Sequence, residues 1–327
     1  MDILNITEKR EIDQSIEEYE YHSYEPITST DVNRPGEIRI NIETKDLFTH
    51  PSESYLVFDG KLVKNADDAV YADADVITLT NNTMMHLFSN IKYQLSGQEI
   101  ESLFHPGQAT MLGLLKFPDD FQKSTGLNQL WFKDSHTVAS IAGNNPNKGF
   151  KIRQIYIVQK PNPKGTFSFR VPLKHIFGFC DDYEKVVYGF KHQLTLVRKG
   201  DNDAIFKTEA VAAGSNNNPP VIAEPDDGKV VLTKLSWYMA HMTPNLQEKL
   251  ALYKTIESKS SLPVGYRIIQ CDSIPVPQTR NFTWRLSVKS APEKPRWIIV
   301  AFQINLETNN TTHKFSITVI SQICLSC

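Results

Sequence analysis

The chain has no excess of basic residues: 35 Lys and Arg stand against 37 Asp and Glu, a formal net charge of −2. Such a balance offers no basic footprint for non-specific phosphate contacts, so no direct nucleic-acid site is expected. No run of about 18 apolar residues, the length a membrane helix needs, occurs anywhere. The first residues, MDILNITEKREIDQSIEE, lack the basic stretch and apolar core of a signal peptide. Neither membrane insertion nor export through a signal peptide is expected. Cysteine is scarce, and Cys180, Cys271, Cys324 and Cys327 are too scattered for a disulfide framework. That points to a reducing compartment and strips the Asn-x-Ser/Thr sequons at Asn5, Asn81 and Asn281 of meaning.

Signatures of chemistry are missing too. There is no His-x-His pair of the kind that holds a metal in cupin-type sandwiches, and no HExxH, GxSxG, GxGxxG or GxxxxGK[ST]. His175, Cys180 and Asp181 lie close in sequence, but a nucleophile and its base are defined by geometry, so packing and turn roles are the preferred reading. Cys324 and Cys327 form half a zinc site at most, since Cys180 and Cys271 supply no second Cys-x-x-Cys. Arg34, Arg39, Lys151, Arg153, Lys185 and Lys191 are dispersed and read as solvated strand faces. Trp284 and Trp297 could line a sugar-binding face, yet their place on apolar stripes favours core packing. Catalytic, cofactor-binding and metal-ligating residues are therefore expected to be none, with no cofactor and no small-molecule substrate.

What is present is the material of β-sheets. Hydrophobic residues make up 40% of the 327, enough for packed cores, and the length suits two units. From residue 36 the apolar period is two: Ile38, Ile40 and Ile42 alternate with Glu37, Arg39, Asn41 and Glu43. The alternation returns at Ile91, Tyr93 and Leu95, turning at Ser96-Gly97, and at Phe167, Phe169 and Val171. It continues at Phe190, His192, Leu194 and Leu196, and at Val231, Leu235, Trp237 and Met239. YLVF followed by Asp59-Gly60 and KLV predicts a hairpin, because Asp-Gly supplies two positive-φ positions. Many strands with few helices between them point to an antiparallel sandwich.

Helical signals read as connections. Residues 106–116 begin with proline and carry Met111, Leu112 and Leu115; residues 244–258 follow Thr243 as a cap, with Leu246, Leu250 and Tyr253 on one face. Residues 1–28 are acidic, with Ile12, Ile16 and Tyr19 at helical spacing, and predict an arm that orders against a neighbour or a frayed terminus. AAGSNNNPPVIAEPDDG predicts a long exposed loop. Beyond the second helix, Tyr266 and Ile269 open a strand, Phe282, Trp284, Leu286 and Val288 alternate, and residues 297–302 are continuously apolar. A second sandwich begins there. Eight strands make a jelly roll, and too few fit before residue 306 to complete one.

The segment RVPLKHIFGFCDDYEKVVYGFKHQLTLVRK resembles the strand, loop and strand of the first jelly roll in major capsid proteins of large DNA viruses, and LFSNIKYQLSGQEIES is similar to their strand, turn and strand. WYMAHMTPNLQEKLALYKTIES, YRIIQCDSIPVPQ, FTWRLSVKSAPEKPRWIIVAFQ and PSESYLVFDGK look like blocks of double jelly-roll-like proteins of Polinton-like or adintovirus-like elements in invertebrate genomes. The resemblance spans residues 10 to 308. It implies an all-β double jelly roll with its second roll incomplete: an arm at 1–28, a first roll at 29–243, a junction helix at 244–258, opening strands at 259–308, and a tail at 309–327 outside the family pattern, read as out-of-frame or unspliced sequence. The implied function is structural rather than enzymatic. Three copies form a capsomer and capsomers tile a shell, with minor capsid or penton proteins as further partners. The location is the virion if the gene is viral and intracellular otherwise. The resemblance places the loop near residues 212–229 on an exposed tower or capsomer contact. A decayed copy without assembly function and a carbohydrate-binding sandwich are the alternatives.

Overall fold

The computed structural model of the protein describes residues 15–27, 31–43, 48–136, 139, 146–208, 225–259, 261, 263–272, 274, 275, 277, 279, 281, 283–285, 298–303 and 315–317. Along the chain run β1 (Ile16–Tyr24), β2 (Gly36–Ile42), β3 (Phe48–Lys64), β4 (Ile77–Leu79), the one-turn helix α1 (Thr83–His86), β5 (Phe88–Leu95) and β6 (Gln98–Phe104). A 3-10 turn at Pro106–Gln108 leads into α2 (Ala109–Lys116), and α3 (Lys148–Gln154) continues into a π-helical turn. There follow β7 (Thr166–Pro172), α4 (Gly178–Asp182), β8 (Val187–Tyr188), β9 (His192–Arg198), β10 (Ile205–Lys207), β11 (Gly228–Pro244), α5 (Leu246–Glu257), β12 (Ala301–Gln303) and β13 (Phe315–Ile317).

Two antiparallel sheets face each other. One has the order β1-β11-β3-β7 with β8 also on β3, the other β2-β9-β5-β6; β10 pairs β4, and β12 pairs β13. Alternation sets the inner faces: Ile38, Ile40 and Ile42 of β2 are at most 1% exposed, as are Leu194 and Leu196 of β9. They meet Leu56 and Phe58 of β3, Phe169 of β7, and Trp237 and Met239 of β11 in one core cluster. Rings interlock across the gap, with Tyr93 edge-on to Trp237 at 6.1 Å and Phe58 tilted on Phe88 at 6.0 Å. Each large apolar side chain buried this way contributes roughly 1.5 to 3 kcal/mol, so a one-residue slip of any strand is prohibitive. The hairpin between β5 and β6 turns where expected, with φ of 47° at Ser96 and 85° at Gly97.

Several local expectations give way to tertiary context. Asp59-Gly60 does not turn: β3 runs unbroken through it for 17 residues. A Cβ at Gly60 would lie 2.5 Å from the Val231 carbonyl oxygen and 2.7 Å from Phe167 Cζ, so glycine there serves close approach, not positive φ. Opposite it, Gly60 pairs with Leu232 but Asp59 with Lys234, a bulge that leaves Thr233 unmatched. The bulge flips the side-chain phase of β11, so Val230 and Leu232, not Val231, join Leu235 and Trp237 inside. Asn33 clips this site, donating from Nδ2 to the Leu232 carbonyl at 2.9 Å and accepting the Leu232 amide at 2.6 Å.

The spacing of Ile16 and Tyr19 suggested a helical arm, yet β1 is a strand that pairs antiparallel with β11 of the same chain, from Tyr24 opposite Trp237 to Ile16 opposite Pro244. An edge of β11 left open by β3 offers its backbone a ladder, which outweighs a weak helical stripe. Asn245, not Thr243, caps α5, its Oδ1 accepting the Glu248 amide at 2.8 Å. Phe190 lies outside β9 and is 48% exposed. Tyr266 and Ile269 belong to no strand; they pack on the core of the sandwich instead. Ile12, most of the loop near residues 212–229, and Phe282, Leu286, Val288 and Trp297 lie outside the described residues.

Candidate assembly surfaces and the junction seam

β6 and α4 grip the chain as it returns past α5. Glu101 on β6 is 2% exposed. Its Oε2 accepts the Phe179 amide at 3.1 Å and its Oε1 the Ile269 amide at 3.0 Å. Burial pushes the Glu101 pKa up, while the amides of Ile269, Phe179 and Gly178 hold it back. Gly178 leaves no room for more, since a Cβ there would sit 2.1 Å from the Arg267 carbonyl oxygen. Arg267 donates its own amide to Asp182 Oδ2 at 2.8 Å and its guanidinium to both oxygens of the same carboxylate. That pairing holds Asp182 below the usual carboxylate range. Tyr266 stands edge-on to Phe179 at 5.1 Å, and its hydroxyl donates to the Ile100 carbonyl at 3.4 Å. Charge, shape and backbone hydrogen bonds thus fasten residues 266–269 to the sandwich.

A polar chain crosses the core nearby. Thr49 Oγ1 on β3 donates to the Val187 carbonyl of β8 at 2.9 Å, so it accepts from His192 Nε2 of β9, also at 2.9 Å. His192 Nδ1 then accepts from the Tyr93 hydroxyl of β5 at 2.7 Å. The chain ties both sheets together only with a neutral imidazole, and burial, with a smaller push from His241, lowers the His192 pKa from 6.5 to about 4. In the unfolded chain the same ring titrates near its ordinary value, so between these pH values the unfolded state binds the extra proton and stability falls as pH falls. We expect His192 to take away about 2 kcal/mol between pH 7.5 and pH 5. Urea midpoints across that range measure it; a His192→Gln variant with the same pH slope as the wild type would refute the assignment.

The two outer walls of the sandwich differ. On the β2-β9-β5-β6 wall, Glu37, Arg39, Asn90, Lys92, Gln94 and Gln193 line an open hollow of about 380 Å³. Charges there are matched within the wall, Arg39 with Glu37 and Lys92 with Glu99 at 3.1 Å. The opposite wall carries rings. Tyr55 of β3 stacks on Tyr238 of β11 at 5.1 Å and leans on Tyr21 of β1 at 5.4 Å, while Tyr19 meets Tyr21 edge-on at 5.6 Å. Arg170 of β7 lies over the Tyr55 ring, 3.5 Å from its centre. Tyr19 and Tyr21 remain 40% and 39% exposed.

The residues that sequence places side by side do not form a catalytic group. His175 Nδ1 faces Gln129 Oε1 at 3.1 Å, and Asp181 accepts from Lys116 Nζ at 2.6 Å. Cys180 is fully buried, and burial raises its thiol well above the ordinary range, so no thiolate is available. Arg153, grouped by sequence with solvated charges, is 0% exposed and paired with buried Asp134. Its position on a helix packed under β4 gives it this role, which no spacing rule signals. The Asn81 sequon is buried, its Oδ1 accepting the Phe132 amide at 2.9 Å. Cys324 and Cys327 lie outside the described residues. Among the described residues no three His, Cys, Asp or Glu side chains gather as metal ligands, and no helix is long and apolar enough to cross a membrane. The tyrosine wall and Glu101 escaped sequence reasoning; the alternating Tyr19-Glu20-Tyr21 was the one available hint.

Comparison with known proteins adds the family. The model of the double jelly roll-like domain matches residues 144–325, over half of the chain, and continues past residue 308 where the sequence blocks stop. No curated protein matches. A chain of the Sputnik virophage, solved by cryo-electron microscopy, matches with a TM-score of 0.52 at 13% identity over 75% of this chain and 51% of its own. The Faustovirus major capsid protein matches with a TM-score of 0.46 at 13% identity, covering 77% of this chain and 59% of its own. For the mavirus major capsid protein the values are 0.43 and 13%, with 73% and 49% covered. The chain therefore spans about half the length of these structures, and the likeness to the Sputnik chain is one of fold. Two facing antiparallel sheets and a family match over more than half its length show that the chain belongs to the double jelly roll-like domain family.

Proposed function

We propose that the chain is a capsid-type structural protein that acts by self-association and needs no covalent chemistry. The first jelly roll occupies residues 29–243, extended by β1, and the junction helix residues 244–258. The second roll begins at 259. Three copies form a capsomer, capsomers tile a shell in a virion, and the gene belongs to a Polinton-like or endogenous viral element. The double jelly roll-like fold is the observation that carries the proposal. It is supported by a sandwich that keeps one wall rich in exposed rings, as subunit contacts require. Obligate contacts of closed oligomers typically bury well over about 2,000 Å² in total. Light scattering after size exclusion should give a mass three times that of the protomer, and negative-stain images should show triangular particles. A protomer mass at every concentration up to about 100 µM, where even weak obligate contacts form, would refute self-association.

A further inference from the structure

We infer that His241, His22 and Tyr24 form an acid-sensitive clasp, which holds β1 on β11 at neutral pH and releases it as the pH falls. The clasp works within one protomer and goes beyond self-association, so the failure of either reading leaves the other standing.

β1 is held mainly by its backbone. Eight of its nine residues are exposed and Tyr24 alone is half-buried. Its ladder runs along β11, and among the described residues no strand pairs with its other edge. A strand that buries so little opens locally at a lower cost than the centre of the sandwich. Glu20, His22 and Tyr24 share one face of β1, in register with His241, Met239 and Trp237. The Tyr24 hydroxyl lies 3.0 Å from His241 Nε2, and the His22 ring stands edge-on to His241 at 4.6 Å.

This geometry tolerates only a neutral ring at His241. The residue is 6% exposed, and its Nδ1 has no hydrogen-bond partner among the described residues. A protonated imidazole carries hydrogen on both nitrogens, which would leave a buried N–H of a cation with nothing to accept it. Around the ring, β1 presents Glu20, His22 and Tyr24, and β3 presents Thr49. Beyond Thr49 stand His192 of β9 and Tyr93 of β5. Glu20 is the carboxylate of this set, and it sits 3.5 Å from His22 with 58% of its side chain exposed, so it supplies no buried counter-charge.

Burial, with a smaller push from His22, lowers the His241 pKa from 6.5 to about 4. Release makes β11 the edge of the sheet and exposes the ring, which then titrates near its ordinary value. The released state therefore binds the extra proton: attachment is strongest above pH 6.5 and weakens as the pH falls toward 4. Release also takes Tyr21 off the Tyr55 ring and opens the β11 edge to a new strand.

Hydrogen exchange of the full chain, followed by mass spectrometry and corrected for the intrinsic effect of pH on exchange, tests this. Residues 16–24 should lose protection about tenfold or more between pH 7.5 and pH 5, and at pH 5 should lie well below β5 and β9. His241→Gln cannot take up the proton, and β1 should then be equally protected at the two pH values. His22→Gln, at an exposed ring, removes the neighbouring charge and should shrink the loss; it decides the matter should His241→Gln not fold. Unchanged protection of β1 in the wild type would overturn the inference, as would a loss in either variant as large as in wild type. So would β1 protected as highly as β5 and β9 at pH 5, which would mean that it opens only with the whole sandwich.

Discussion

Arg153→Ala is expected to destabilise the chain by about 3 to 5 kcal/mol, the cost of leaving a buried charge without its partner. The side chain is 0% exposed on α3 and donates from Nε to the Leu79 carbonyl at 2.9 Å, from Nη1 to the Phe132 carbonyl, and from Nη2 to Asp134 Oδ1 at 2.7 Å. It thereby joins β4, residues 132–134 and α3. Removing it takes the ion pair with Arg153 from the Asp134 carboxylate, itself 1% exposed, and the guanidinium donors from the Leu79 and Phe132 carbonyl groups. For a unit of this size the loss corresponds to a fall in Tm of about 10 °C. The double variant Arg153→Met with Asp134→Leu should recover a large part of it, because replacing both charges removes the desolvation penalty along with the attraction. Urea unfolding of the three proteins decides: an Arg153→Ala midpoint equal to wild type would show that the pair does not hold this layer.

The second large effect is expected at the seam. Glu101→Ala should free residues 266–269 from the sandwich, because the amides of Gly178, Phe179 and Ile269 lose their shared acceptor. An unsatisfied buried amide costs about 1 to 3 kcal/mol, so three of them outweigh the gain from removing one buried carboxylate. Glu101→Gln keeps a single acceptor oxygen and should fall between. Hydrogen exchange measured by mass spectrometry should show residues 263–272 exchanging about a hundredfold faster in Glu101→Ala, with β3 and β11 unchanged. Equal protection of that segment in wild type and variant would mean that the Arg267–Asp182 pair and Tyr266 suffice, and that Glu101 is dispensable for docking.

These two residues also show where sequence reasoning stops. Glu101 reads as an ordinary polar position of a strand, and Arg153 as one more scattered base. Both became anchors only because distant segments converge on them: Ile269 reaches Glu101 from 168 residues away, and Leu79 reaches Arg153 from 74. The same holds for Asp59-Gly60. Locally it is a strong turn signal, but Val231 and Phe167 press on Gly60 from both neighbouring strands, and β3 runs straight on. At β1 the competition is between a weak helical stripe and an open strand edge, and the edge wins.

Local order alone determined the inner faces of β2, β5, β7 and β9, the tight turn at Ser96-Gly97 and the helices at α2 and α5. Alternation, positive-φ residues and end signals act within a few residues of themselves, and the blocks of resemblance added the double jelly-roll class. Tertiary structure alone decided the phase of β11 around Thr233, the docking of residues 266–269, the neutral bridge through His192 and the aromatic wall. Each of these depends on which strands become neighbours. Neighbour choice is settled by burying all the apolar faces at once, a condition on the whole chain that no short window of sequence contains.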